Sequence, residues 1–144
     1  MKSFVFANLI VLGLTSMRAA DEDARSLRGE WVCVSAIVDG RALGEKTVAA
    51  LRLTLTGNRY KSEKKSEVLF DSTYTTDDSK VPKQINMIGT EGDLAGKEAR
   101  GIYRLENELL TICYTMPDKP RPTTFESKEG SGNYLAVWKR VERR

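Results

Sequence analysis

Two cysteines, five tyrosines and the acidic pairs Asp77/Asp78 and Glu91/Asp93 are the side chains with most chemical potential, and no histidine stands beside them. That absence removes whole reaction classes. Ser-His-Asp and Cys-His catalysis need an imidazole that takes up and returns a proton near neutral pH. HExxH-type zinc sites need imidazole ligands. Neither a GxxxxGK[ST] phosphate loop nor a GxGxxG turn occurs. Carboxylate chemistry remains, but a glycosidase pair must face across a cleft at a set distance, which neighbours in one loop do not achieve. Calcium loops of EF-hand type need more oxygen ligands and an acidic twelfth position. Both acidic pairs read as solvated turns. No catalytic residue, metal or cofactor is expected.

The elements that carry these residues are short and alternating. Glu30 to Val38 is apolar and β-branched and ends at the Asp39-Gly40 turn. Gly44 to Ala50 tolerates one or two helical turns. Leu51 to Thr56 alternates strictly, with three leucines on one face. Gly57-Asn58 turns it back into Arg59–Glu63. Glu67 to Thr75 alternates again, and Gln84 to Ile88 is a further strand before a glycine-rich loop. Arg100–Leu105 and Glu108–Tyr114 flank Glu106-Asn107 as a two-residue connection, a register that sets Tyr103 opposite Leu110. The proline-bearing stretch Met116 to Pro122 reads as an extended loop, whose Asp118–Pro122 portion is placed either as a linker or across a barrel mouth. Asn133 to Val141 closes the series.

About eight antiparallel strands with one short helix fit an all-β domain, and an up-and-down barrel removes exposed edges. Alternation turns Phe70, Tyr74, Tyr103 and Tyr114 inward, with Leu53, Leu55, Met87 and Val137. An eight-stranded barrel either fills with side chains or holds one small ligand. Bulky residues at this density favour filling, whereas inward tyrosine hydroxyls call for partners that a ligand or water supplies. The four aromatics are therefore the candidate ligand contacts. Cys33 shares a face with Trp31, and Cys113 alternates with the inward Leu110, Ile112 and Tyr114. Opposite parity argues against a disulfide.

Residues 1–20 have the layout of a secretory signal peptide: a basic start, an apolar stretch too short to span a membrane, and small residues near Ala20. Residues 21–28 form a connector, and 29–144 the domain. Loss of Lys2 and Arg18 leaves 21 basic against 20 acidic residues, a net charge of about +1. Lys61, Lys64 and Lys65 are interleaved with Glu63 and Glu67, which does not make a phosphate track, so nucleic acid is not expected as a partner.

Gly29-Glu30-Trp31 at the entry of the first strand is similar to the Gly-x-Trp of lipocalin-type barrels. Further landmarks are Asp39-Gly40, Leu53 to Tyr60, Pro82 to Asn86, Gly101-Ile102-Tyr103, Arg121-Pro122-Thr123, Gly130-Ser131-Gly132 and Lys139-Arg140. In this order, from about Leu27 to Arg140, the chain resembles a lipocalin-like domain family expanded in planctomycete-type bacteria. Asn58 and Asn86 stand where that pattern has aspartate, and Cys33 where it has valine. The resemblance implies a barrel closed by Gly29, Trp31 and a cation from Lys139 or Arg140. It also implies an exported, secreted or periplasmic protein without a transmembrane domain in the mature chain. Compared with ligand-carrying lipocalins, Leu105 to Glu108 replaces the Thr-Asp-Tyr hairpin signature, and no C-terminal helix follows the last strand. Two functions stay open: a binding protein for a small apolar ligand or an envelope component, and a structural or interaction module with a filled interior.

Overall fold

A computed structural model describes residues 24–142. Its strands are β1 (Gly29–Val38), β2 (Arg41–Ala42), β3 (Leu51–Thr56), β4 (Arg59–Lys64), β5 (Glu67–Asp77), β6 (Lys83–Gly89), β7 (Glu98–Glu106), β8 (Leu109–Thr115) and β9 (Tyr134–Arg140). A helix, α1 (Glu45–Ala50), precedes β3, and a single 3-10 turn (Gly92–Leu94) joins β6 to β7. From β3 to β9 each strand pairs antiparallel with the next, and β1 pairs with both β3 and β9. Eight strands thus close into an all-β, lipocalin-like barrel, with β2 a two-residue hook on the end of β1. Closure leaves the long strands with no free edge. Residues 1–20, the expected leader, lie outside the described residues.

The alternation of Leu51, Leu53 and Leu55 places all three in the core, while Arg52 and Thr56 are exposed. Two irregularities adjust the phase. Ladder pairing of β1 with β9 skips Val34, so Trp31 and Cys33 before it and Ala36 after it all face inward. Pairing of β4 with β5 skips Leu69, leaving Phe70 opposite Ser62 and Leu69 at the rim.

The β7–β8 hairpin differs from the expected register by two residues. Leu105 pairs with Leu110 and Tyr103 with Ile112, because Asn107 and Glu108, both at positive φ, form the turn. The faces survive this slip, since the shift is even. In β9 the phase is the opposite of that expected. Trp138 pairs with Cys33 and Leu110 and is buried, and Val137 faces outward between Ser35 and Thr111. Burying the larger indole outweighs burying valine.

Part of the expected connector, residues 21–28, lies among the described residues. Residues 24–27 form a helical turn, and Leu27 at its end is buried in the core. After Met116 and Pro117 at the rim, the segment from Asp118 to Asn133 does not run across the barrel mouth as a lid. It folds back along the outer wall, where Arg121 Nη1 donates to the carbonyls of Gly101 (2.8 Å) and Ile85 (3.1 Å), and Nη2 donates to Asn86 Oδ1 (2.6 Å). Phe125 packs under the Arg104 guanidinium at 4.5 Å. Outward-facing Ile102, Cys113 and Thr115 are buried.

Candidate functional site

The barrel interior divides into two halves of different density. At the end where β1 begins, Trp31 is wholly buried among Leu27, Leu53, Leu55, Met87 and Leu110. Its indole Nε1 donates to the Leu27 carbonyl at 3.1 Å, and the Arg140 guanidinium lies 4.3 Å from its ring centroid. Such a cation over an aromatic face contributes ~0.5–2 kcal/mol. Arg140 also donates to the carbonyls of Arg28 (2.7 Å) and Ser26, tying the residue 24–28 segment across this end. Gly29, at φ 135°, passes so close that a Cβ there would lie 3.0 Å from Arg140 Nη1. Of the two cations expected over the indole, only Arg140 takes that place. Lys139 is exposed and pairs with Val32 on the outer face, as the phase of β9 requires.

At the opposite end the interior opens into a cavity of about 290 Å³. Small side chains cause it: Ala36, Ala99, Ala136 and Ser62 occupy inward positions that large residues occupy at the Trp31 end. Its walls carry Tyr60, Phe70, Tyr114, Tyr134 and Trp138. Tyr114 and Tyr134 are stacked, with centroids 5.0 Å apart and planes 6° from parallel, and Tyr60 meets Phe70 edge-on at 6.1 Å. The rim is built by Leu43 ahead of α1, Leu69 at the β5 start, Leu94 of the 3-10 turn, and Met116 with Pro117. The volume is about twice the ~150 Å³ that holds benzene in an engineered cavity, so roughly a dozen non-hydrogen atoms fit.

Of the four aromatics expected to contact a ligand, Phe70 and Tyr114 line this cavity. Tyr74 and Tyr103 do not. Both are buried in the packed half, where Tyr103 has the Lys83 ammonium 5.9 Å above its ring. Tyr60, Tyr134 and Trp138 complete the walls without having been singled out from sequence. Alternation within β4 and the correct phase of β9 were the signals that point to them.

Burial keeps the hydroxyls of Tyr60 and Tyr114 and the Cys33 thiol uncharged. Burial pushes the Tyr60 hydroxyl well above its ordinary pKa, reinforced by Tyr114 and Cys33, and raises that of Tyr114 as well. Burial pushes the Cys33 thiol up to about 11. Cys33 faces inward and Cys113 outward, where its Sγ donates to the Glu126 carbonyl at 3.5 Å, and both are free thiols. Trp138 contributes a buried indole N–H that finds no hydrogen-bond acceptor among the described residues. No cluster of three or more His, Cys, Asp or Glu suited to a metal occurs among the described residues, and no helix there is long and apolar enough to cross a membrane.

Asp71 and Arg59 form the strongest charged contact on the barrel wall. Arg59 Nε donates to Asp71 Oδ1 at 2.9 Å and Nη2 to Oδ2, a two-pronged pair with the carboxylate 5% exposed and the guanidinium 55% exposed. The Arg59 hydrogen bonds hold the Asp71 carboxyl below its ordinary pKa. This pair fastens β4 to β5 and lies outside the cavity lining. Comparison of the chain with family models, with curated proteins and with solved structures finds no match.

Proposed function

We propose that this chain is an exported, lipocalin-like binding protein that holds a small, largely apolar molecule in the open half of its barrel, without catalysis. The observation that carries the reading is the aromatic-walled cavity of about 290 Å³ opposite the Trp31 plug. It is concave, mostly apolar and close to the lower size limit of small-molecule sites. Export rests on the signal-like residues 1–20, and membership of the planctomycete-type lipocalin-like family rests on the Gly29-to-Arg140 landmarks. A filled structural or interaction module is the reading that takes over if the cavity binds nothing.

Titration with decan-1-ol, followed through Trp138 fluorescence, tests this directly. At ~0.5 kcal/mol per non-hydrogen atom, a ligand of this size binds with a Kd of about tens of micromolar. Ala136→Leu projects a larger side chain into the cavity and is expected to abolish binding while leaving the barrel folded. Saturable binding that survives Ala136→Leu, or no binding by the unaltered chain, contradicts the reading.

A further inference from the structure

Lys97 is the one charged residue among the described residues that line the cavity; every other lining side chain is apolar, aromatic or, at Ser62, a hydroxyl. Its place on the rim is fixed by the backbone. The Lys97 amide donates to the Leu94 carbonyl at 3.0 Å, and the Lys97 carbonyl accepts from the Gly89 amide at 3.0 Å. A Cβ on Gly89 would come within 2.1 Å of the Leu94 carbonyl oxygen, so glycine lets the 3-10 turn dock this tightly on β6. The carboxylate nearest in sequence, Glu98, is already engaged, accepting from Arg100 Nε at 2.8 Å. Lys97 itself makes no ion pair among the described residues.

An apolar chamber with one unpaired cation at its mouth has the polarity of an amphiphile turned inside out. A ligand's apolar body gains from burial between Tyr60, Tyr114 and Trp138. A charged head carried fully inside would lose its hydration without compensation. A head left at the rim keeps part of its water and meets the lysine ammonium, a compact, strongly hydrated cation on a flexible stem. We propose that the cavity takes a monocarboxylate amphiphile of about a dozen non-hydrogen atoms, its body in the aromatic chamber and its carboxylate at Lys97. This rests on the cavity being a binding site and adds the charge class of what it binds.

Decanoate, decan-1-ol and decyltrimethylammonium, each titrated against the full chain and against Lys97→Gln and Lys97→Glu, separate the two ideas. Lys97 is exposed, so both variants keep the barrel, which circular dichroism verifies. Lys97→Gln is expected to weaken decanoate about three- to tenfold at low salt, the range of a partly exposed charge-assisted contact. Decan-1-ol should change less than about twofold, and raised salt should narrow the decanoate difference. Lys97→Glu should weaken decanoate further and favour decyltrimethylammonium. Unchanged decanoate affinity in Lys97→Gln, or equal weakening of acid and alcohol, overturns the head-group assignment and leaves the apolar site standing. Failure of all three compounds to bind the unaltered chain overturns both.

Discussion

Removing the Trp31 indole opens a second void at the closed end and releases two contacts at once. Trp31 is fully buried, donates to the Leu27 carbonyl and lies under the Arg140 guanidinium. Truncating a buried tryptophan to alanine costs ~3–5 kcal/mol in transfer and cavity terms. The lost cation contact adds ~0.5–2 kcal/mol, and the total approaches the lower end of the ~5–15 kcal/mol that stabilises a typical domain. Trp31→Ala is therefore expected to abolish a cooperative unfolding transition. Trp31→Phe keeps a ring in place and is expected to lose about 1–2 kcal/mol, measured by urea unfolding followed by circular dichroism. A cycle of Trp31→Leu, which removes the aromatic face, with Arg140→Ala isolates the pair: the Arg140 bonds to Arg28 and Ser26 are common to both arms and cancel. A coupling of ~0.5–2 kcal/mol is expected. Coupling near zero, or a loss below about 1 kcal/mol for Trp31→Ala, refutes the plug.

Three further expectations follow from contacts away from the cavity walls. Both thiols should label slowly in the native state; with Cys33 near pKa 11, its thiolate population at pH 8 falls about a hundredfold below that of an ordinary thiol. Labelling as fast as in denatured protein, or an intramolecular Cys33–Cys113 bridge on mass analysis, contradicts their placement on opposite faces. Asp71 carries a folded pKa below its ordinary value, so the Arg59 pair stabilises above about pH 4 and that contribution is lost as pH falls through the folded value. Asp71→Asn should thus lower stability at neutral pH and converge with the unaltered chain in acid; parallel stability–pH curves argue against it. Arg121→Ala removes donors from two backbone carbonyls and Asn86, at a cost of ~2 kcal/mol. Limited proteolysis should then cut between residues 117 and 133 before the barrel, whereas unchanged cleavage means the segment is held by other contacts.

Strand order and facing were legible because they depend on large, regularly spaced residues. Leu51, Leu53 and Leu55 specify one face, Trp31 specifies an end, and the parity of Cys33 and Cys113 specifies two thiols that cannot meet. The cavity was not legible in the same way. It is made by what is missing at Ala36, Ala99 and Ala136, and alanine in a strand carries little pattern of its own. Tyr74 and Tyr103 drew attention through size, yet depth along the strands places them in the packed half. The Val137-for-Trp138 phase error in β9 had the same origin as the Lys139-for-Arg140 ambiguity, since one residue of slip exchanges both pairs together. Proline content kept Met116–Pro122 out of the strands, but the stretch is not extended throughout, since Pro117 and Asp118 form a turn with Asp118 at φ 72°. Its path along the outer wall depends on Arg121 reaching three long-range acceptors.

The most direct measurement is native mass spectrometry of the chain purified from its own host. A single co-purifying molecule of roughly a dozen non-hydrogen atoms, released on denaturation and absent from Ala136→Leu prepared identically, is the predicted result. Repeated preparations that carry nothing, and that bind neither decanoate nor decan-1-ol when these are added, would contradict the claim that this barrel is built to hold a ligand.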